Sequence, residues 1–528
     1  MGSVLRAVAV TCGPLLAAQL SAHVAPFGIT SAVLIPFVTL AYPGMLFITP
    51  RKHLDWSYWA VVAAASAAIL IAGITLARIT GIYVSASDGW VFLWILVGIA
   101  WIARRRHLLA LPAILGAGFA SLAGWRRLLF LGGFLMAFAS ARWVVPPQQD
   151  QDMVIANPTY GYLQHGKPYG TETHFAYIFS KPPLLHLQAG FTLLLIDRLE
   201  QASFYWQSGR IVEILGEPRW ATRRFRQKDV ECFELHPELV RGTRLLTTFY
   251  AALVPGLIAD LALLLGGSPA AATIAGLSYL LIPEVFVRSG YAGFTTPSTA
   301  VLALSAILVH GPAPTSSRIA AGILMALLNQ KMLFVPAAYA AWKALSRCGG
   351  GIRRVVRDPW LWGAFVGTAV WWVYGATVDW STFLRDHFYY DFRDRFLFQD
   401  LSIGLRGVGW YPGVGGLWQE WARNLSPPLL AMGMAGVVWG LFQGGALRFL
   451  SLWALLGWVL GSVTDWRQTK HLMLTIVPMA VTAQLLAERY PRWHRVLMYA
   501  LIATALYTGV RIVQLWRDFD SLLPSTVW

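Results

Sequence analysis

Charge is what this chain has little of. Only 13% of its 528 residues are Asp, Glu, Lys or Arg, about half the share of soluble domains, and this excludes a water-soluble enzyme of such length. Cysteine is scarce as well: Cys12, Cys232 and Cys348 show neither metal-ligand spacing nor a pairing pattern. Of the two charge signs acid is the rarer, 26 residues against 42 basic ones, for a net +16. Such a balance could point to nucleic acid. In a chain with 56% hydrophobic residues and a mean hydropathy of +0.54 it reads instead as basic cytoplasmic loops facing anionic lipid, and no nucleic-acid partner is expected. What is abundant is apolar surface: 25 Trp, 27 Phe and 19 Tyr exclude disorder. The expected class is an all-α polytopic membrane protein.

Crossing the hydrocarbon core takes about 17–25 apolar residues. Candidate segments lie near 7–24, 29–49, 58–77, 90–103, 128–145, 243–266, 270–287, 296–311, 317–330, 332–346, 359–378, 426–444, 447–464, 470–487 and 495–513. The first, with Arg6 ahead of it and further spans behind, reads as a retained helix and not a signal peptide. Clusters at 51–53, 104–106, 126–127, 343–357 and 489–495 set these loops in the cytoplasm. Residues 107–124 are apolar with Arg clusters at both ends, which predicts a re-entrant or in-plane hairpin around Pro112. Residues 146–242 then form one long outer excursion, and the short apolar run 184–196 within it is expected to lie as an amphipathic segment at the interface. A second outer loop covers 379–425.

The spans are nearly free of ionisable residues, Asp260 being the main exception. Solute carriers tend to keep such groups inside their spans, so the distribution points to chemistry at the outer face. The first loop opens with Pro146-Pro147-Gln148-Gln149-Asp150-Gln151-Asp152. Carboxylates two apart in an extended chain share a side; Asp150 and Asp152 could serve as general base toward a hydroxyl or hold a divalent cation. The plainer reading is a solvated loop start or a helix cap. Lys181, followed by Pro182-Pro183-Leu184-Leu185, is set at the lipid boundary, either for a lipid phosphate or as an ordinary snorkelling lysine. Arg288, Lys331 and the turn Arg467, Lys470, His471 repeat the theme, and residues 385–395 interleave aromatics with both charge signs. Cations gathered dry at one depth repel, and a bound anion relieves them; a lipid-linked phosphate is the natural candidate. His165, Tyr169, His174, Tyr177 and His387 are candidates for sugar contacts, or else interfacial belt residues.

Taken in order, these landmarks resemble the C-type glycosyltransferase superfamily, in particular the lipid A aminoarabinose transferases and the bacterial protein O-mannosyltransferase-like enzymes. The resemblance runs from about 128 to 490: the acidic pair, Leu163-x-x-Gly166, Lys181-Pro182-Pro183-Leu184, Arg244-Leu245, Arg288, Thr296-Pro297, Asn329-Gln330-Lys331, Phe392-x-x-Arg395-Phe396, Gly409-Trp410-Tyr411 and Thr469-Lys470-His471 leading to Pro478. The family commonly has Asp-Glu at the acidic pair, and ungapped spacing back from Lys181 puts Gln151-Asp152 there, so Asp150 and Asp152 stay alternatives. The spans in 1–127 and the insert near 200–240 have no family counterpart, and no soluble domain is expected after 513.

The resemblance implies a helical bundle with juxtamembrane helices in the first outer loop. It implies a catalytic module over 128–425 and C-terminal membrane helices over 426–528. The implied reaction is inverting transfer of a sugar from a polyprenyl-phosphate-linked donor to a glycan, lipid or protein acceptor at the periplasmic face of a bacterial inner membrane. Lys181, with Arg288, Lys331, Arg395 or Lys470, would stabilise the leaving phosphate, and His174, Tyr177, His387 and His471 would contact substrate. Asp150 or Asp152 would deprotonate or orient the acceptor hydroxyl. No cofactor is required, although a divalent cation at the acidic pair is compatible. Two alternatives are a ligase moving a whole glycan from a lipid diphosphate and a transporter of polyprenyl phosphate or lipid.

Overall fold

The computed structural model describes residues 2–49, 55–121, 124–144, 158–168, 182–202, 237–345, 351–384, 387, 421–463 and 469–517, and among these every regular element is helical. The chain is a multi-pass, all-helical membrane protein. Helix α1 is Gly2–Val24, followed by α2 (Ile29–Leu40) and α3 (Tyr42–Phe47). The span expected over 29–49 is thus broken at Ala41, with Pro43 in the first turn of α3, a position that needs no N–H. Next come α4 (Trp56–Ile79), capped by the Asp55 side chain on the Tyr58 N–H, and α5 (Ala86–Ala103), which opens with a Ser85/Asp88 capping box. Helices α6 (Arg105–Ser121) and α7 (Gly124–Ala139) follow, and α7 continues into a π-helical turn at Ser140–Val144.

After the first long connection come α8 (Leu184–Leu195), α9 (Pro237–Leu264), α10 (Pro269–Leu280), α11 (Pro283–Ser289), α12 (Thr295–His310) and α13 (Thr315–Leu328). A 3₁₀ turn at Gln330–Leu333 leads into α14 (Phe334–Leu345), α15 (Gly351–Val356), α16 (Pro359–Val378) and α17 (Trp380–Leu384). Past the second long connection lie α18 (Pro427–Phe442), α19 (Gly445–Val463), α20 (Thr469–Arg489) and α21 (Pro491–Arg517).

Among the described residues seven helices are long and apolar enough to cross a membrane, namely α1, α4, α5, α16 and the apolar parts of α9, α20 and α21. The pair α10–α11 adds a broken span bent by 70°. Pro283 causes the bend: it cannot donate to the preceding turn, and Ile282 is extended at φ −78°, ψ 126°. Helices α9 and α20 form the centre of the bundle, while α1, α16 and α21 turn apolar side chains outward, among them Leu20, Phe365, Val373, Tyr499 and Leu506. Water would not tolerate such faces, and lipid does.

The two ends of the bundle differ. At one, which we call the basic end, α4 and α7 begin and α9 finishes. There Asp260 of α9 accepts from Trp56 Nε1 at 2.7 Å and from Arg126 Nε at 2.8 Å. The exposed Arg105, Arg106, Arg353, Arg354, Arg357, Arg489, Arg492 and Arg495 lie at or between helix ends here. The two long connections leave from the other, the loop end.

Two expectations are corrected. Residues 107–124 form no hairpin: α6 is one helix, with Pro112 inside it. Arg104 just before it donates to Thr49 at 2.7 Å, and Arg126 just after it reaches Asp260, so α6 starts and finishes at the basic end. The run 184–196 does not lie along an interface. In α8 every residue except Leu187 is buried, against α2, α5 and α9, because both faces of this helix are apolar and the bundle offers it neighbours on all sides.

Candidate active site

The first turn of α12 is where the candidate residues gather. The Thr296 hydroxyl donates to the Arg288 carbonyl at 3.2 Å. Two residues on, the Ser298 hydroxyl accepts from Asn329 Nδ2 at 3.0 Å, and Asn329 Oδ1 accepts from the Lys331 N–H at 3.1 Å. The Arg288 backbone on α11 and, through Asn329, the Lys331 backbone on the 3₁₀ turn are therefore tied to one helical turn from separate elements. Lys331 is buried. Arg288 donates through Nε to Glu284 at 2.6 Å, a pair with side chains only 14% and 9% exposed, and its guanidinium lies over the Tyr291 ring, 5.0 Å from the centroid. Glu284 so compensates the Arg288 charge.

Helix α8 enters the same layer. It starts directly after Pro182 and Pro183, whose rings exclude a helix interior and favour its first turn. His186, fully buried in that turn, stacks on Tyr162 with ring centroids 5.8 Å apart and meets the edge of Phe294, the residue before α12, at 5.2 Å. The Thr159 hydroxyl donates to the His186 carbonyl at 3.2 Å, and the Tyr250 hydroxyl of α9 donates to Gln188 Oε1 at 3.1 Å. From α7 the Ser140 hydroxyl donates to the Phe286 carbonyl at 2.6 Å, holding the bent α11, and Arg244 of α9 donates to the Ala141 carbonyl at 3.0 Å. The result is a buried polar layer at the loop end inside an otherwise apolar bundle.

Of the predicted site residues, the structure ties the backbones of Arg288 and, through Asn329, Lys331 to the same turn of α12. His387 is buried elsewhere, stacked on Phe383 at 4.3 Å and edge-on to Trp372 at 5.6 Å. Asp150, Asp152, His174, Tyr177, Lys181 and Arg395 lie outside the described residues, as do the side chains of Lys470 and His471, whose backbone begins α20. Sequence reasoning did not single out Glu284, His186 and Tyr162. The spacing of four between Glu284 and Arg288 was a signal for their pairing; the Tyr162 contact, across 24 positions, had none. His165, which closes the π-helical turn Gly161–His165, is held below its ordinary pKa by partial burial and then by the positive Lys167 and Arg78. Among the described residues no group of three His, Cys, Asp or Glu could hold a metal ion.

No family model matches the chain, and no curated protein matches it. Two solved structures are similar to it in fold. One is ArnT from Cupriavidus metallidurans bound to undecaprenyl phosphate, at 15% identity and a TM-score of 0.48, over 76% of this chain and 70% of that one. The other is the Archaeoglobus fulgidus oligosaccharyltransferase tethered with an acceptor peptide, at 10% identity and a TM-score of 0.41, over 74% of this chain and 55% of that one.

Proposed function

We propose that this chain is a glycosyltransferase of the C-type superfamily, moving a sugar from a polyprenyl-phosphate donor to an acceptor at the periplasmic face of a bacterial inner membrane. The observation that carries the reading is the attachment of Arg288 and Lys331 to the first turn of α12, beside His186 at the start of α8. In such a site the donor's glycosidic C–O bond breaks and its electron pair stays on the lipid phosphate. Lysines pre-placed in a layer that excludes water stabilise that developing charge without reorganising. Lys331, buried beside this turn, would take that role together with Lys181, Arg395 and Lys470, while Arg288, ion-paired with Glu284, would position the layer. Asp150 or Asp152 takes the proton of the acceptor hydroxyl as it attacks the anomeric carbon from the opposite face, inverting it. An acceptor that is itself a phosphate needs no base, and the aspartate then only orients groups.

The test is to purify the chain in nanodiscs and identify co-purifying lipids by mass spectrometry, for wild type and for Lys181→Ala. A polyprenyl phosphate or its monoglycosyl form, lost in the variant, is the expected result. A polyprenyl diphosphate glycan would turn the reading to a ligase. Bulk phospholipid alone, unchanged by the substitution, would overturn the donor site and favour transport.

A further inference from the structure

The connection between α4 and α5, residues 80–85, belongs to the helices that precede 128, and the proposed chemistry makes no use of it. It nevertheless grips the segment 158–168 of the first long loop. The Gln164 amide takes both backbone groups of Val84: its Oε1 accepts from the N–H at 3.2 Å and its Nε2 donates to the carbonyl at 2.7 Å. The Tyr83 hydroxyl donates to Glu200 at 2.6 Å and lies 2.9 Å from the Tyr160 hydroxyl. Arg78, in the last turn of α4, donates to the His165 carbonyl at 3.4 Å and lays its guanidinium against Gly166, where a Cβ would push it aside. Gly166 also has φ +67°, a conformation that disfavours side chains. From α16, Tyr374 donates to the Gly166 carbonyl.

The opposite side of the same segment faces α8. Thr159 donates to the His186 carbonyl, Tyr162 stacks on the His186 ring, and Leu163 fills the space over Gly190. A single π-helical turn is too short to hold its own position, so the placement of Tyr162 depends on what grips the segment from behind. An amide that pairs with both the N–H and the C=O of one residue fixes distance and direction together.

We infer that Tyr83, Val84 and Arg78, with Gln164, are positioning residues for the lipid-phosphate site: they set Tyr162 against His186 and thereby the start of α8, which follows Lys181-Pro182-Pro183. The inference rests on the proposed reading of that layer as the donor's phosphate site. It makes the N-terminal helices part of the working frame of the enzyme.

The experiment uses the full chain in nanodiscs and undecaprenyl phosphate as the probe. Affinity is measured by thermophoresis, and hydrogen exchange is followed across the chain. Losing the Gln164 pair and the Tyr83 hydroxyl removes four hydrogen bonds, each with a modest net worth, so Tyr83→Phe/Gln164→Ala is expected to weaken binding about tenfold. Exchange should rise in 158–168 and stay unchanged in α9 and α20, which a general loss of stability would also move. Glu200→Gln keeps an oxygen for the Tyr83 hydroxyl and should bind within about twofold of wild type. Should the double variant fail to fold, Tyr83→Phe alone removes one hydroxyl and is expected to cost about threefold. Wild-type affinity in a folded clamp variant, with affinity lost in Lys181→Ala, would overturn the inference and leave the functional reading standing. No binding by the wild-type chain would bring down both.

Discussion

Asp260 shows how a single residue can draw the wrong attention. An ionisable group within a span is by default a functional candidate, and this one interrupts an otherwise neutral stretch of α9. Its oxygens are already taken by Arg126 and Trp56, so it joins α4 and α7 to α9 at the basic end, far along α9 from the layer around Tyr250. Asp260→Asn should cost stability, but Arg126 is 35% exposed and can rehydrate, so the loss stays at about 1–3 kcal/mol and not the full penalty of a dry orphaned charge. Thermal unfolding in detergent measures it; undecaprenyl phosphate binding should be unaltered, and its loss without destabilisation would give Asp260 a functional part. The acidic pair is expected to behave in the opposite way. Asp150→Asn/Asp152→Asn is expected to abolish sugar transfer, assayed by mass spectrometry on an envelope lipid extract, while polyprenyl phosphate binding persists. Removing a general base typically costs a factor of about 10²–10⁴. Transfer that survives the double substitution would remove the base and leave a phosphate acceptor or simple carriage of lipid.

Among elements, the sequence disclosed where apolar helices stand and concealed what they touch. Composition located α4, α5, α9, α16 and α20 because a crossing helix must satisfy its backbone internally and be apolar over its length. The same criterion failed for α8. Hydropathy registers that a helix avoids water but cannot say whether lipid or protein replaces it, and the deciding neighbours of α8, Thr39, Gly89 and Tyr250, are distant in the chain. Cations were legible at Arg288 and Lys331 as residues, whereas the tying of their backbones to one turn of α12 depends on the bend after α10 and on Asn329 reaching Ser298. Close packing of α13 on α16 is a further case. Gly363 and Gly367 stand four apart on α16, and each would press a Cβ into the α13 backbone near Ile319 and Ile323; Gly322 on α13 mirrors them against Trp360 and Ala364. Small residues let membrane helices approach closely, and packing is what joins them once water is absent. Gly363→Val should therefore force the pair apart and cost about 1–3 kcal/mol, read as a lower thermal midpoint. An unchanged midpoint would mean that the two helices stand further apart than described.

For the molecule as a whole, function depends on which way the bundle faces. Under the proposed reading a polyprenyl-phosphate donor would present its sugar outside the membrane, which would put the layer around His186 toward the periplasm and the arginines of the basic end toward the cytoplasm, where anionic lipid and the charge rule favour them. Two exposed positions report on this: Ile82, 53% exposed at the α4–α5 turn, and Ile352, 68% exposed on α15. With Cys12, Cys232 and Cys348 replaced by Ser, Ile82→Cys should react with an impermeant maleimide in intact spheroplasts, and Ile352→Cys only after lysis. The reverse pattern would turn the candidate site to the cytoplasm, where soluble nucleotide sugars are accessible and a lipid-linked donor has no advantage, so the donor assignment would fall although every contact within the bundle stayed the same. Labelling of both from one side would instead break the alternation of crossings between α4 and α15. The fold and the reaction are thus tested apart: helix packing is the same whichever way the bundle faces, and the proposed chemistry stands or falls on the side that Tyr83 and its neighbours face.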